Sequence, residues 1–344
     1  MEKMRAMVLF ECAPIETSPL KLSEINRHQI EKENEILIKI EACGVCHSQL
    51  HGIEGDWKDL GIPPTLPTIP GHEVVGKIVE IGKNVTKFKV GDRAGITPLL
   101  EACKKCQYCK EGKEYLCESA IITGESFKGG YTEYITVLED FATKIPESMK
   151  AEYAAPLFCA GITAFKAVKA AEPQLHKKIG IFGIGGVGHM AVQFAKIKGC
   201  NVIAFSRNQN HLNVAKRLGA IDSMVFSENQ ESFLNEIKEK HGMLDAAIVF
   251  APSDKVTDTA IKAVKKGGTI VIATIGENPS FIAFEEKTIR GTLIGSTKDM
   301  EQVIKICSEE HLEVISETYP LEKANEVLKK LKDSQIEARA VLIP

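Results

Sequence analysis

Apolar and polar positions follow two different rhythms along the chain, and the change falls near Ala160. Before it, the apolar runs are short and rich in β-branched residues: Ala6–Phe10, Glu35–Ala42 and Val74–Ile81. Such runs predict strands, because branched side chains fit a pleated, half-buried surface. Gly82-Lys83-Asn84 and Gly91-Asp92-Arg93 interrupt them as turns. Pro63, Pro64, Pro67 and Pro70 predict an extended loop that delivers Gly71-His72. This half reads as an irregular, β-rich domain.

After Ala160 the apolar runs alternate with amphipathic stretches. Strands are predicted over Lys178–Phe182, Asn201–Phe205, Leu244–Phe250 and Thr269–Ile275, with helices over Val187–Lys198, Asn210–Leu218 and Val256–Val264. That alternation defines an α/β unit with a doubly wound parallel sheet. Thr292–Ile294 is expected as its last strand. Two further helices, Met300–Ser308 and Leu321–Leu331, precede a closing strand at Arg339–Ile343. The tail is assigned to the first domain, which then spans 1–159 and 296–344 around a cofactor domain at 160–295.

Composition narrows the class. The chain has 344 residues, 26% charged and 44% hydrophobic, with a formal net charge of -3. Those values suit a soluble two-domain protein and give no reason to expect nucleic acid. Met1–Phe10 mixes charges with apolar residues, unlike a signal peptide, and no stretch is apolar enough to span a membrane. A cytoplasmic location is the expectation. Ten cysteines in a large chain without an export signal point to metal rather than disulfides.

Gly183-Ile184-Gly185-Gly186-Val187-Gly188 fits G-x-G-x-x-G between a predicted strand and a predicted helix. Such a loop lets backbone approach a pyrophosphate, and the helix N-terminus offers it N–H groups and partial positive charge. The second strand ends Phe205-Ser206-Arg207-Asn208, with no carboxylate for a ribose 2′-OH. Ser206 and Arg207 instead suit a 2′-phosphate, so NADP(H) is favoured and NAD(H) stays open.

Cys103, Cys106, Cys109 and Cys117 lie within fifteen residues, a lobe at 101–118. Four thiolates fill a tetrahedral zinc and make a structural site, with an iron–sulfur cluster as the competing reading. Cys46, His72 and Cys159 form a second set, three ligands that leave one position open, as a catalytic zinc requires. Taken singly, Cys159 also reads as a buried core cysteine and His72 as a core histidine. Beside a dinucleotide fold the metal reading is preferred, giving two zinc ions per subunit.

These motifs in this order resemble the zinc-dependent medium-chain alcohol dehydrogenases. The resemblance rests on Gly44-Val45-Cys46-His47, Gly71-His72-Glu73, the four-cysteine lobe, Gly129-Gly130-Tyr131-Thr132-Glu133-Tyr134, the Cys159 segment and the glycine loop. It implies a GroES-like catalytic domain and a Rossmann cofactor domain, and Cys46, His72 and Cys159 as catalytic zinc ligands, with Glu73 beside them. It also implies that Ser48 takes the alcohol proton and passes it toward His51. His47 and Arg339 would face the pyrophosphate, Thr163 the nicotinamide, and Trp57 the substrate. Gln49 stands where the family usually has Asp, and its carbonyl is expected to accept from the histidine ring. The implied function is hydride transfer between a primary alcohol/aldehyde pair and NADP(H) or NAD(H). Polyol oxidation and a catalytically silent NADP(H)-binding protein are the rivals, and a homodimer or homotetramer is expected.

Overall fold

The computed structural model describes residues 2–60, 65–276 and 283–344. Pro63 and Pro64 of the expected loop lie outside the described residues. The chain divides into two compact units: residues 1–159, 295–309 and 314–344, and residues 160–294 with 310–313.

In the first unit the chain runs through β1 (Lys3–Leu9), β2 (Leu20–Asn26), β3 (Glu35–Val45), helix α1 (His47–Glu54), β4 (Glu73–Ile81), β5 (Arg93–Ile96) and β6 (Leu99–Glu101). The one-turn helix α2 (Gln107–Lys110), β7 (Ile121–Ile122), β8 (Tyr134–Leu138), β9 (Ala142–Lys144) and α3 (Ala151–Ala154) follow. β1 and β2 form a separate hairpin.

The second unit begins with α4 (Ala160–Ala170). It continues with β10 (Lys178–Phe182), α5 (Gly188–Ile197), β11 (Asn201–Ser206), α6 (Gln209–Leu218), β12 (Asp222–Val225), α7 (Gln230–His241), β13 (Leu244–Val249), α8 (Asp254–Ala263), β14 (Val264–Ile272) and β15 (Thr288–Gly291). The chain then re-enters the first unit with α9 (Thr297–Glu309), β16 (Ser316–Pro320), α10 (Ala324–Lys332) and β17 (Arg339–Ile343).

The sheet of the first unit runs β16-β17-β3-β4-β5-β9, with β8 also on β3. β3 is eleven residues long and buried over most of its length, so it pairs on both edges. The closing strand β17 lies antiparallel to β3, with Ala340 opposite Val45 and Val341 opposite Gly44. That register sets the end of the chain beside the start of the metal-ligand motif.

The second unit is a six-stranded parallel sheet in the order β12-β11-β10-β13-β14-β15. Counted from β10 this is 3-2-1-4-5-6, the doubly wound order whose strand direction of winding reverses beside the first strand. Its core stacks Phe182 on Phe205 at 4.3 Å and sets Phe205 edge-on to Phe233 at 5.9 Å. Among the described residues no helix is long and apolar enough to cross a membrane.

Several elements depart from the sequence expectation. The last strand of the parallel sheet is Thr288–Gly291, not Thr292–Ile294; Leu293 is 53% exposed, an apolar residue on the surface that imitates a strand. β14 begins at Val264 and ends at Ile272, because α8 passes directly into it. β2, β12, α7 and β16 are additional elements, mostly polar and only lightly buried.

Candidate metal centre and cofactor loop

The centre is built where β3 turns into α1. Cys46 is the N-cap of α1, extended at φ -120° and ψ 145°, and the helix turns back after Glu54 at Gly55 (φ 80°). One helical turn sets Ser48 and Gln49 on the same end as Cys46, while Leu50 and Ile53 bury the helix against the core. His47, the first residue of the helix, is exposed.

The second ligand segment enters β4 through Gly71, at φ +100°. A side chain there would strike the Tyr131 ring at 2.5 Å and Cys43 Sγ at 2.9 Å, so glycine is required by both conformation and space. His72 and Glu73 follow and are buried. Cys159 comes from the residue between a short 3-10 turn (Ala155–Phe158) and α4.

The ligand atoms of Cys46, His72, Glu73 and Cys159 lie within 4.8 Å of one another. Cys46 Sγ and Cys159 Sγ are 3.9 Å apart. Two thiolates at zinc bond lengths on a tetrahedral ion stand about 3.8 Å apart by simple trigonometry, so the spacing fits zinc. Ser48 Oγ donates to Cys46 Sγ at 3.2 Å and lies 3.5 Å from His72 Nε2. The hydrogen bond from Cys159 holds the Cys46 thiol well below its ordinary range against burial, with His72 assisting. Cys159 moves the opposite way, because the same hydrogen bond keeps its proton.

Glu73 is paired with Arg339, whose Nη2 donates to both carboxylate oxygens. Burial pushes the Glu73 carboxyl up to about 7 against the pull of Arg339. The pair spans β3 at Gly44, where an added Cβ would sit 1.8 Å from Glu73 Oε2. Gly44 is therefore the opening that lets the carboxylate cross the strand. Arg339 is buried in β17, and its Nε has no hydrogen-bond partner among the described residues.

Gln49 differs from expectation in the direction of its amide. Its carbonyl accepts from the Gly71 N–H at 2.6 Å, and its NH2 group faces His72 Nδ1 at 2.8 Å. The amide therefore turns its other end to the ring.

His51 Nδ1 is 2.7 Å from Asp56 Oδ2, and its ring stacks on Trp57 at 5.5 Å. Both His51 and Asp56 are exposed to solvent. Asp56 was not singled out from sequence; its position after the Gly55 turn, five residues beyond His51, was the available signal. Glu125 was not singled out either. It follows Gly124, whose added Cβ would meet Gln49 Oε1 and Gly71 N, each at 2.8 Å. The Glu125 carboxylate has no hydrogen bond or ion pair among the described residues, and burial raises it, with the His72 charge opposing.

Cys103, Cys106, Cys109 and Cys117 form a second cluster within 4.8 Å. Cys103 Sγ and Cys109 Sγ are 4.0 Å apart, again near the spacing for a tetrahedral ion. The backbone N–H groups of Lys105 and Cys106 hold Cys103 down to about 6. That stabilises a thiolate, the form that binds metal.

In the second unit Gly183 (φ +99°) turns the chain out of β10, and Gly188 opens α5 so close to it that a Cβ would lie 2.0 Å from Gly183 O. A Cβ on Gly185 would meet open space. Gly185, Gly186 and Val187 thus form an open backbone curve at a helix N-terminus, a shape that fits a pyrophosphate. Ser206 ends β11, its Oγ accepting from the Asn208 N–H at 3.2 Å, and Arg207 is exposed just beyond. Glu228 also lies near Arg207; its hydrogen bond with Lys255 holds it below the ordinary carboxylate range, and the Arg207 charge adds to that. Thr163 is half-buried in the first turn of α4.

Comparison with known proteins bears on the whole chain. Residues 32–147 match the family model of the alcohol dehydrogenase GroES-like domain, and residues 186–309 match that of the zinc-binding dehydrogenase. An alcohol dehydrogenase of Geobacillus stearothermophilus is 39% identical over 329 residues, 94% of this chain and 96% of its own. The acetophenone reductase of Geotrichum candidum, solved in complex with NAD, superposes with a TM-score of 0.87 at 27% identity, covering 100% of this chain and 98% of its own. The CAD of Helicobacter pylori, complexed with NADP(H), superposes with a TM-score of 0.85 at 25% identity, covering 99% and 98%. The chain belongs to the zinc-dependent medium-chain alcohol dehydrogenase family.

Proposed function

We propose that this chain is an alcohol dehydrogenase or aldehyde reductase that interconverts primary alcohols and aldehydes with NADP(H). The observation that carries the proposal is the meeting of Cys46, His72 and Cys159 with the Ser48 hydroxyl at one partly buried point. A zinc ion held by those three residues supplies a Lewis acid that polarises a carbonyl or acidifies an alcohol. Cys103, Cys106, Cys109 and Cys117 would hold a second, structural zinc.

The chain's own groups do the rest. Ser48 Oγ holds the alcohol proton at the buried end. His51, anchored by Asp56 and open to solvent, exchanges a proton at the outer end. Trp57, stacked on that ring, limits its rotation and supplies an apolar face for substrate. Arg339 keeps the Glu73 carboxylate fixed beside the ligands.

NADP(H) is favoured because β11 ends at Ser206 and is followed by Arg207, with no carboxylate there to take a ribose hydroxyl. Initial rates of aldehyde reduction with NADPH and NADH over aliphatic and aromatic aldehydes test this. Preference for NADPH, lost on Arg207→Ala, is the expected result; preference for NADH overturns the assignment. Copies are expected to assemble as homodimers or homotetramers, and among the described residues β12 and β15 are the outer strands of the sheet.

Polyols are the second reading, because Glu125 offers a carboxylate that has no hydrogen bond or ion pair among the described residues, beside the Gly71-His72 segment. A carboxylate there would accept from additional substrate hydroxyls. A profile in which diols outpace simple primary alcohols, reversed by Glu125→Gln, would favour it.

A further inference from the structure

Gln49 is buried, 4% exposed, and faces two neighbours with a single amide. One neighbour is the Gly71 N–H, a donor under all conditions. The other is His72 Nδ1, which donates when the ring hydrogen sits there and accepts when it sits on Nε2. The carbonyl is committed to Gly71 at 2.6 Å, which turns the NH2 group to Nδ1 at 2.8 Å. That contact is a hydrogen bond only if Nδ1 carries the lone pair and Nε2 the hydrogen. Yet Nε2 is the nitrogen that lies toward Ser48 and the cysteine cluster.

We propose that Gln49 is a positioning residue that holds His72 in the form unable to ligate, so that metal capture requires the Gln49 amide to turn over. The proposal rests on the zinc reading of Cys46, His72 and Cys159. Ligation through Nε2 moves the ring hydrogen to Nδ1, where it needs an acceptor. A turned amide supplies its carbonyl to Nδ1–H but sets NH2 against the Gly71 N–H, and one buried hydrogen bond is lost. Gly124 lies next to this amide, and a Cβ added there would meet both Gln49 Oε1 and Gly71 N at 2.8 Å. A carboxylate has only acceptors and would serve Gly71 and His72 together. Glutamate has the same length as glutamine, so Gln49→Glu changes hydrogen-bond polarity with almost no change in shape.

The test uses the full-length chain stripped of metal and titrated with zinc against a chelator of known affinity. The four-cysteine cluster serves as an internal reference. Gln49→Glu is expected to tighten zinc at the Cys46, His72 and Cys159 site roughly 10- to 100-fold, the usual reach of groups behind a ligand, and to leave the reference cluster unchanged. Equal affinity in the two proteins, within about twofold on the same scale, overturns the proposal. A second readout needs no variant: 15N NMR of histidine-labelled wild type. His72 Nδ1 without hydrogen in the metal-free chain, gaining it on zinc addition, supports the proposal. Nδ1 carrying hydrogen before zinc is added overturns it. If neither protein takes zinc at this site while the reference cluster fills, the metal reading has failed. The metal-free NMR result then still decides how Gln49 holds His72.

Discussion

A missing methyl group at Gly44 is what allows a charge pair to cross a strand. Glu73 reaches Arg339 over the backbone of β3, and a Cβ on Gly44 would collide with the carboxylate itself. Gly44→Ala should therefore displace the Glu73 side chain. Arg339→Met leaves that carboxylate buried and alone, and removing one member of a buried pair costs about 3–5 kcal/mol. Adding Glu73→Gln should recover much of the loss; urea unfolding of the single and double variants checks this. Ser48 offers a different kind of test, because its hydroxyl makes no contribution to packing that Ala cannot replace. Ser48→Ala should lower turnover roughly 100- to 10,000-fold, the range for a positioned proton acceptor, with unchanged zinc content. Steady-state rates beside metal analysis separate that outcome from misfolding.

Among the elements, the four-cysteine lobe has little core of its own, with only Ala102 and Cys117 buried between residues 101 and 118. Neither α2 nor the turn at Glu114–Leu116 buries a residue, and β6 and β7 are too short to hold a hairpin. Cys103→Ser should release one zinc per chain and open residues 101–118 to protease, read by metal analysis and limited proteolysis. The segment between β2 and β3 carries a titratable group. Burial pushes His28 down to about 4, with Lys128 adding to the shift and Glu35 opposing it. The folded ring stays neutral while the unfolded one gains a proton near pH 6.5, so His28 contributes full stability above that pH. Stability then falls as pH drops toward 4, by on the order of 3 kcal/mol. Urea midpoints between pH 7 and 4 should show that slope, and His28→Gln should flatten it. The elements legible in the sequence were those whose burial follows a simple period. Lys178–Phe182 and Arg339–Ile343 are short apolar runs and occur where expected. α7 escaped notice because only Phe233 and Ile237 of its residues are buried. β12 and β16 are polar strands defined by their neighbours. The candidate cysteines and histidine stood out in the sequence as a combination of motifs, but Asp56, Glu125 and the direction of the Gln49 amide depend on segments brought together by folding.

At the scale of the whole molecule, the fold places its last strand inside the sheet that begins the chain. β17 lies between β16 and β3, and it carries the arginine that Glu73 pairs with. A chain lacking residues 335–344 should leave the first unit open to protease while residues 160–294 survive as a resistant fragment. Electrophoresis with mass analysis of a digest would show it; survival of the first unit would refute the dependence. The same topology imposes a schedule on the ribosome. Between the emergence of Cys159 and that of Arg339 roughly ten to forty seconds pass at ordinary rates of synthesis. Throughout that interval Cys46, at the end of β3, and Cys159 sit in a unit whose sheet lacks β17. A nascent chain in the cell therefore presents thiols that can react before their pocket is complete, and its yield should depend on how fast the final stretch is translated.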